Sequence, residues 1–387
     1  MLNKIPTVLT LSFIIAFSPY YAYSKTDNIR IYLKIFVKRD SLSIENDDGL
    51  FLGDKSLKSF KKLEIQKKDR SFVCNGTSYT ALSVIPKGTT QTRIITKYGS
   101  KTYDGSFTIM VRDNSFYIIN TTSVNSYLQG VVGSELGDNF NPEVLKAQAV
   151  VSRSYYIALK KKTRDRDYDA IDVAGQFQAF RGLQYAGPRV KKAVIDTSCE
   201  VIRNNDDHFI PQFHSTCGGM LLTPGESWGK DEIVERPGFR RFDGPAESPN
   251  CRISPYYQWS ADLDKKMLLV ALSKQLRRNF NDVIFFMNRN GFLKQMKLIA
   301  SDDRAITISG FRFKSYLEKE GISSVRSTRL AVRVDGGTIH FKGKGFGHFV
   351  GMCQWGAENL ARNGMGYRDI LRYYYPASTI VYLNDCR

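Results

Sequence analysis

The stretch Val124-Asn125-Ser126-Tyr127-Leu128-Gln129-Gly130-Val131-Val132-Gly133-Ser134-Glu135-Leu136 is where the reading of this chain turns. Its apolar members Val124, Leu128, Val131 and Val132 sit three and four apart, the spacing of one helix face. Upstream the pattern is different. Short strands are expected at Ile31–Leu33 and Ile35–Val37, and period-two alternation marks Thr92, Ile94 and Thr96, then Phe107, Ile109 and Val111, then Phe116 and Ile118. Arg112-Asp113-Asn114 reads as a tight hairpin turn between the last two. From Ser123 the period is helical to about Lys162, after which strand and helix signals mix through to Arg387. There is no βαβ alternation and no glycine-rich phosphate loop, so the expected class is α+β. The expected division is a leader at 1–24, a β-rich module at 25–120 and a mixed helix/strand region at 121–387.

Glu135 falls on the apolar stripe, seven residues after Leu128 and four after Val131. A charge placed there is costly. The group is therefore paired with a cation, or its pKa is raised and it works as a general acid near neutrality. Gly137 is expected to end the helix, which puts Glu135 near the C-terminal end, where the macrodipole also favours the protonated acid.

A second helix is signalled directly after it, with Asn141 as cap and Pro142 in the first turn. Lys146, Arg153 and Lys160 recur every seven residues along one face, which is either a solvated row or a cradle for an anionic polymer. Two further stretches look unlike core. Phe213-His214-Ser215-Thr216-Cys217-Gly218-Gly219 sets three hydrogen-bonding side chains before two glycines, and Gly343 to Ala357 crowds glycines around His348. The basic amphipathic segment Asp262–Phe280 suits a helix packed by one stripe on the core, with a membrane-surface helix as the rarer alternative.

Composition narrows the partner. The chain has 387 residues, 42% of them hydrophobic, which excludes disorder, and Lys+Arg 56 against Asp+Glu 38 leaves +18. Such a balance suits nucleic acid, an anionic membrane surface or an acidic polysaccharide. Lys4, the apolar run Val8–Phe17 and Ala22-Tyr23-Ser24 have the form of a cleavable signal peptide, and export demotes nucleic acid. The expected location is the periplasm or cell wall, with membrane contact only through that segment. Cys74, Cys199, Cys217, Cys251, Cys353 and Cys386 form an even set without a CxxC pair, read as disulfides plus a buried free thiol.

At these residues the sequence resembles the SpoIID/LytB family, the stage II sporulation protein D and amidase-enhancer proteins. The family's YLxGVVxxE helix appears as Tyr127–Glu135 and its PxEALKAQAVAARTY helix as Pro142–Tyr156. Its FHSTxGG loop appears as Phe213–Gly219, its SPxxxW step as Ser254–Trp259 and its LRST element as Val325–Thr328. Its GxGHGVGMxQxGA stretch appears as Gly343–Ala357, and the closing ILxxYY as Ile370–Tyr375. The resemblance implies a SpoIID-like α+β fold and action on peptidoglycan glycan strands, with an amidase as a further partner. Sporulation members look like lytic transglycosylases that use one glutamate, matched here by Glu135. On that reading Lys146 and Arg153 bind the lactyl carboxylates of peptide-stripped muramic residues. Gln148, Tyr155, His214, Ser215, Thr216, Gly218, Gly219, Trp228, His348, Gly351 and Gln354 complete the expected substrate-binding set. The alternative is a non-catalytic wall-binding activator of an amidase.

Departures from the family pattern carry their own expectations. Zinc-binding relatives have a CxxxHC cluster in the region matching Asp169–Gln178, and its ligands are missing here, so no metal or other cofactor is expected there. Phe349 replaces the glycine after the histidine and is expected to narrow that loop. The two glycine-bearing loops are expected to meet, bringing Cys217 near Cys353. With Cys251 these would form a disulfide and a free thiol, or a small metal site if His214 turns inward, the disulfide being preferred.

Overall fold

The computed structural model describes residues 28–53, 58–160, 163, 165–204, 209–228, 241–302 and 304–383. The expected signal peptide and Cys386 lie outside the described residues.

The alternating segments build one sheet. Asn28–Tyr32, Ser41–Leu52, Ser59–Lys67, Phe72–Cys74, Thr77–Tyr79, Ala81–Pro86, Thr92–Thr96, Gly99–Tyr103, Ser106–Arg112 and Ser115–Ser123 are joined by the short Ala170–Ile171 in eleven strands. Neighbours pair antiparallel except Ala170–Ile171, which runs parallel to Asn28–Tyr32. At the Arg112–Ser115 hairpin, Asp113 and Asn114 have φ of 50° and 52°, the pair of left-handed residues that matches strand twist in a tight turn. The expected strand at Ile35–Val37 is corrected: Lys34–Phe36 is a turn of 3-10 helix. The Asp172 carboxylate accepts the Lys34 N–H at 2.9 Å and the Ile35 N–H at 3.3 Å, which draws this backbone off the ladder.

Among the described residues there are eight α-helices: α1 (Val124–Glu135), α2 (Pro142–Lys160), α3 (Pro188–Asp196), α4 (Pro224–Trp228), α5 (Lys265–Leu276), α6 (Gly310–Lys319), α7 (Gln354–Arg362) and α8 (Tyr367–Tyr374). The class is α+β. None of them is long and apolar enough to cross a membrane.

Ser123 ends the sheet and caps α1, its Oγ accepting the Ser126 N–H at 3.1 Å, so the switch of periodicity is a direct strand-to-helix joint. The inner face of the sheet packs on Val124, Leu128 and Val131 of α1 and on Val190 and Val194 of α3. A second core gathers Phe349, Met352, Ile370 and Tyr374. Helix α2 divides the two, giving Leu145, Ala149 and Tyr156 to the first and Val144, Ala147 and Val151 to the second. That double burial is why its apolar residues spread over more than one stripe. A third core lies within residues 258–344, where two three-stranded sheets pack with α5 and α6. Asp264 caps α5, and Leu268, Leu269 and Leu272 bury its stripe, while Asp262–Asp264 belong to the preceding strand. The amphipathic segment thus packs on the chain's own core.

Candidate functional site

Helix α1 carries two interior glycines, each costing about 1 kcal/mol against alanine. Their use is close approach. A Cβ on Gly130 would overlap the Phe180 ring, and one on Gly133 would lie 2.6 Å from the Tyr185 carbonyl oxygen. Segment 179–186 therefore lies directly on α1. The Arg181 N–H donates to Ser134 Oγ at 2.9 Å, and the Ala179 N–H donates to Glu135 Oε1 at 2.9 Å. Gly137, at φ +71°, ends the helix and returns its N–H to the Gly133 carbonyl.

Burial raises the Glu135 pKa above the ordinary glutamate range, and the Ala179 N–H, the Arg181 charge and a hydrogen bond with Gln354 pull it part of the way back. Such a carboxyl holds its proton at higher pH than an exposed glutamate and keeps donors waiting for its ionised form. Tyr155 stands beside it, its ring edge-on to Phe177 at 5.4 Å and to Phe213 at 6.4 Å. Burial, with a smaller effect of Glu135, pushes this phenol up to about 12, so it remains neutral.

The two glycine-bearing loops meet. Phe213–His214 pairs in parallel with Met352–Cys353, and the His214 and His348 rings are 5.5 Å apart. At Gly351 (φ +75°) a Cβ would overlap the Gln212 carbonyl, so the contact requires glycine. His214 Nδ1 lies 3.2 Å from the Val350 carbonyl, which assigns the proton to Nδ1. Its Nε2 is then an acceptor, buried and without a hydrogen-bond partner among the described residues. His348 Nδ1 accepts the Val350 N–H at 3.2 Å, and its ring lies 5.7 Å from that of Trp228. Burial pushes His348 down to about 4 and His214 well below its usual value, so both are neutral imidazoles at neutral pH. Gln354, the residue after Cys353, links this wall to Glu135.

Several expected contacts are corrected. Arg153 is 1% exposed, and its guanidinium donates to the carbonyls of Val194, Thr197 and Glu200, closing the C-terminal end of α3 instead of facing a ligand. Lys146 is held by Glu143 at 2.8 Å and Asp196 at 4.0 Å, with its ammonium 5.8 Å from the Tyr367 ring centre. Gln148 is buried beneath Gln354, accepting its side-chain N–H at 3.3 Å, and so positions that residue instead of touching substrate. Thr216 is buried against Ser254 Oγ at 2.7 Å, and Gly218 is buried with its carbonyl bound by Arg329. Ser215, Gly219, Trp228, His348 and Tyr155 are partly exposed. Phe349 does not narrow the loop. Its left-handed backbone (φ +65°) turns the ring into the second core, edge-on to Phe292 at 5.3 Å.

The expected disulfide is corrected as well. Cys217, Cys251 and Cys353 are free and buried, as is Cys74, whereas Cys199 is disulfide-bonded. The zinc position of some relatives does not fit this chain: Asp169 is bound by Arg30, Asp172 by backbone N–H groups, and no thiol or imidazole stands between them and Gln178. Sequence reasoning missed Arg181, an exposed cation acting on Glu135, and Lys101, whose ammonium reaches the Arg181 carbonyl at 3.5 Å. Segment 177–186 has no periodicity that could have pointed to Arg181, and Lys101 lies on the separate strand Gly99–Tyr103, with no local signal joining the two.

Fold and site together define an α+β protein with one partly buried acid at a helix end, joined through Gln354 to a wall of two neutral imidazoles. The family model described as "Stage II sporulation protein" matches residues 112–203, which contain α1, α2 and Glu135. An uncharacterised protein of Brachyspira hyodysenteriae is 28% identical over 73% of this chain and 73% of its own length. Stage II sporulation protein D of Bacillus amyloliquefaciens is 25% identical over 69% of this chain and 76% of its own. The amidase enhancer of Bacillus subtilis is 25% identical over 65% of this chain and 40% of its own. The matching family model and these relatives, with the motifs in family order along the chain, support the SpoIID/LytB family.

Proposed function

We propose that the protein is an exported lytic transglycosylase acting on peptide-stripped peptidoglycan, with Glu135 as its single acid and base. The observation that carries this reading is the environment of that carboxyl: raised pKa, one oxygen on the Ala179 N–H, and Gln354 alongside. Protonated, Glu135 donates to the departing glycosidic oxygen. The carboxylate left behind takes the proton of the sugar's own C6 hydroxyl as that oxygen closes on C1, giving a 1,6-anhydromuramic end. Water is not the nucleophile, so a second carboxylate is not needed. Arg181, with Lys101 beside it, replaces Arg153 and Lys146 as the cation offered to the lactyl carboxylates, because Arg181 is exposed and its charge acts on Glu135, while the Lys101 ammonium reaches the Arg181 carbonyl.

A second reading, a non-catalytic activator of an amidase, is favoured by the relative named amidase enhancer. Purified protein incubated with peptide-free glycan strands separates the two. Anhydro-ended fragments seen by mass spectrometry support the transglycosylase. Their absence, with release from intact wall only when an amidase is added, supports the activator.

A further inference from the structure

Apart from Glu135 and its wall, one group of chemically active side chains is drawn together from distant parts of the chain. Cys217, Asp243, Cys251 and Cys353 are all buried, and one ligand atom from each lies within 4.8 Å of all the others. We propose that these four residues hold a single tetrahedral zinc ion that clasps the loops of the site.

The spacing suits a metal. A tetrahedral centre with Zn–S of about 2.3 Å and Zn–O of about 2.0 Å puts sulfurs about 3.8 Å apart and sulfur about 3.5 Å from oxygen. Here Cys217 Sγ is 3.5 Å from Cys251 Sγ and 3.2 Å from Asp243 Oδ2. The charge balance asks for a cation. Asp243 is 0% exposed, and among the described residues no lysine, arginine or histidine forms an ion pair with it. A buried carboxylate facing three thiols is costly unless a cation joins them.

The surroundings resemble those of a ligand set. Asp243 Oδ1 is oriented by the Tyr374 hydroxyl at 2.7 Å and Asn250 Nδ2 at 3.2 Å, which leaves Oδ2 turned to the sulfurs. Backbone N–H groups point at sulfur: Cys217 and Gly356 to Cys353 Sγ at 3.3 and 3.4 Å, and Gly219 to Cys217 Sγ at 3.3 Å. Such donors stabilise thiolates. A Cβ on Gly356 would overlap Tyr374 Oη and Asp243 Oδ2, so the first turn of α7 is kept open for the carboxylate. Three thiolates with one carboxylate at tetrahedral spacing favour zinc over the hard cations. The ion would join the loop after His214, the segment around Cys251 and the N-terminus of α7, one residue before Gln354. It would act as a clasp for the site, with no part in the chemistry at Glu135.

The test uses the full chain purified without a polyhistidine tag. Elemental analysis should find about one zinc per chain, and Cys251→Ser and Asp243→Asn should each lower it at least about tenfold. Cobalt added after chelation should give sulfur-to-cobalt charge-transfer absorption and the intense visible bands of a tetrahedral site. If both variants fail to fold, the zinc content and cobalt spectrum of the unaltered chain decide. Protein that carries no zinc and binds no cobalt overturns the proposal. So does zinc retained in both folded variants, or a Cys217–Cys251 disulfide found by peptide mapping after alkylation. None of these readouts depends on whether the protein cleaves glycan.

Discussion

Replacing Glu135 with glutamine tests the proposed chemistry with little disturbance of the fold. Glutamine keeps the length of the side chain and an oxygen for the Ala179 N–H, which the native carboxyl accepts at 2.9 Å. What it loses is the transferable proton. General acid–base catalysis contributes about 10²–10⁴-fold, so product formation should fall by that factor, or about 2.7–5.5 kcal/mol of barrier. Stability should move the other way. Burial raises the folded-state pKa of Glu135, so its contribution is fully present below the unfolded value of about 4.3 and is lost as pH rises through the folded value. At neutral pH the variant should therefore melt at or above the native temperature, with a flatter dependence on pH. The assay pairs release of anhydro-ended fragments from peptide-free strands with thermal melts of the same samples. Folded Glu135→Gln protein that forms product within about threefold of the native rate would refute the acid–base role.

Arg181→Ala should weaken binding to peptide-free glycan and reduce the salt sensitivity of what remains, whereas Lys146→Ala, whose ammonium is already engaged by Glu143, should bind as the native protein does. Equal effects of the two in a co-sedimentation assay would reject Arg181 as the glycan's cation. Arg153→Met should cost about 3–5 kcal/mol, because the carbonyls of Val194, Thr197 and Glu200 lose a buried cation. Chemical denaturation measures that loss, and the folded fraction should keep native affinity. His348 has a folded pKa lowered by burial to about 4, so its stabilising contribution is complete above about 6.5 and disappears as pH falls through 4. His348→Gln should flatten the decline in melting temperature between those values, and an unchanged slope would show that the ring is not held neutral.

The sequence by itself determined what rests on local periodicity. The alternation at Thr92–Thr96, Phe107–Val111 and Phe116–Ile118 and the three-and-four spacing from Val124 to Val132 specify the sheet and α1. Glu135 stood out because a carboxylate on an apolar stripe needs an explanation that its own helix supplies. Tertiary structure decided how side chains are used. Arg153 and Lys146 read as an exposed row, yet α3 and α8 pack across α2, and those neighbours come from later in the chain. Likewise Arg181 reaches Glu135 only because Gly130 and Gly133 let an aperiodic segment lie on α1. Asp243 gathers with Cys217, Cys251 and Cys353 in a set whose members span more than a hundred residues of chain from Cys217 to Cys353, with no spacing motif to announce them. A helix face is encoded within a few residues, whereas a ligand set drawn from separate loops exists only after the cores between them have packed.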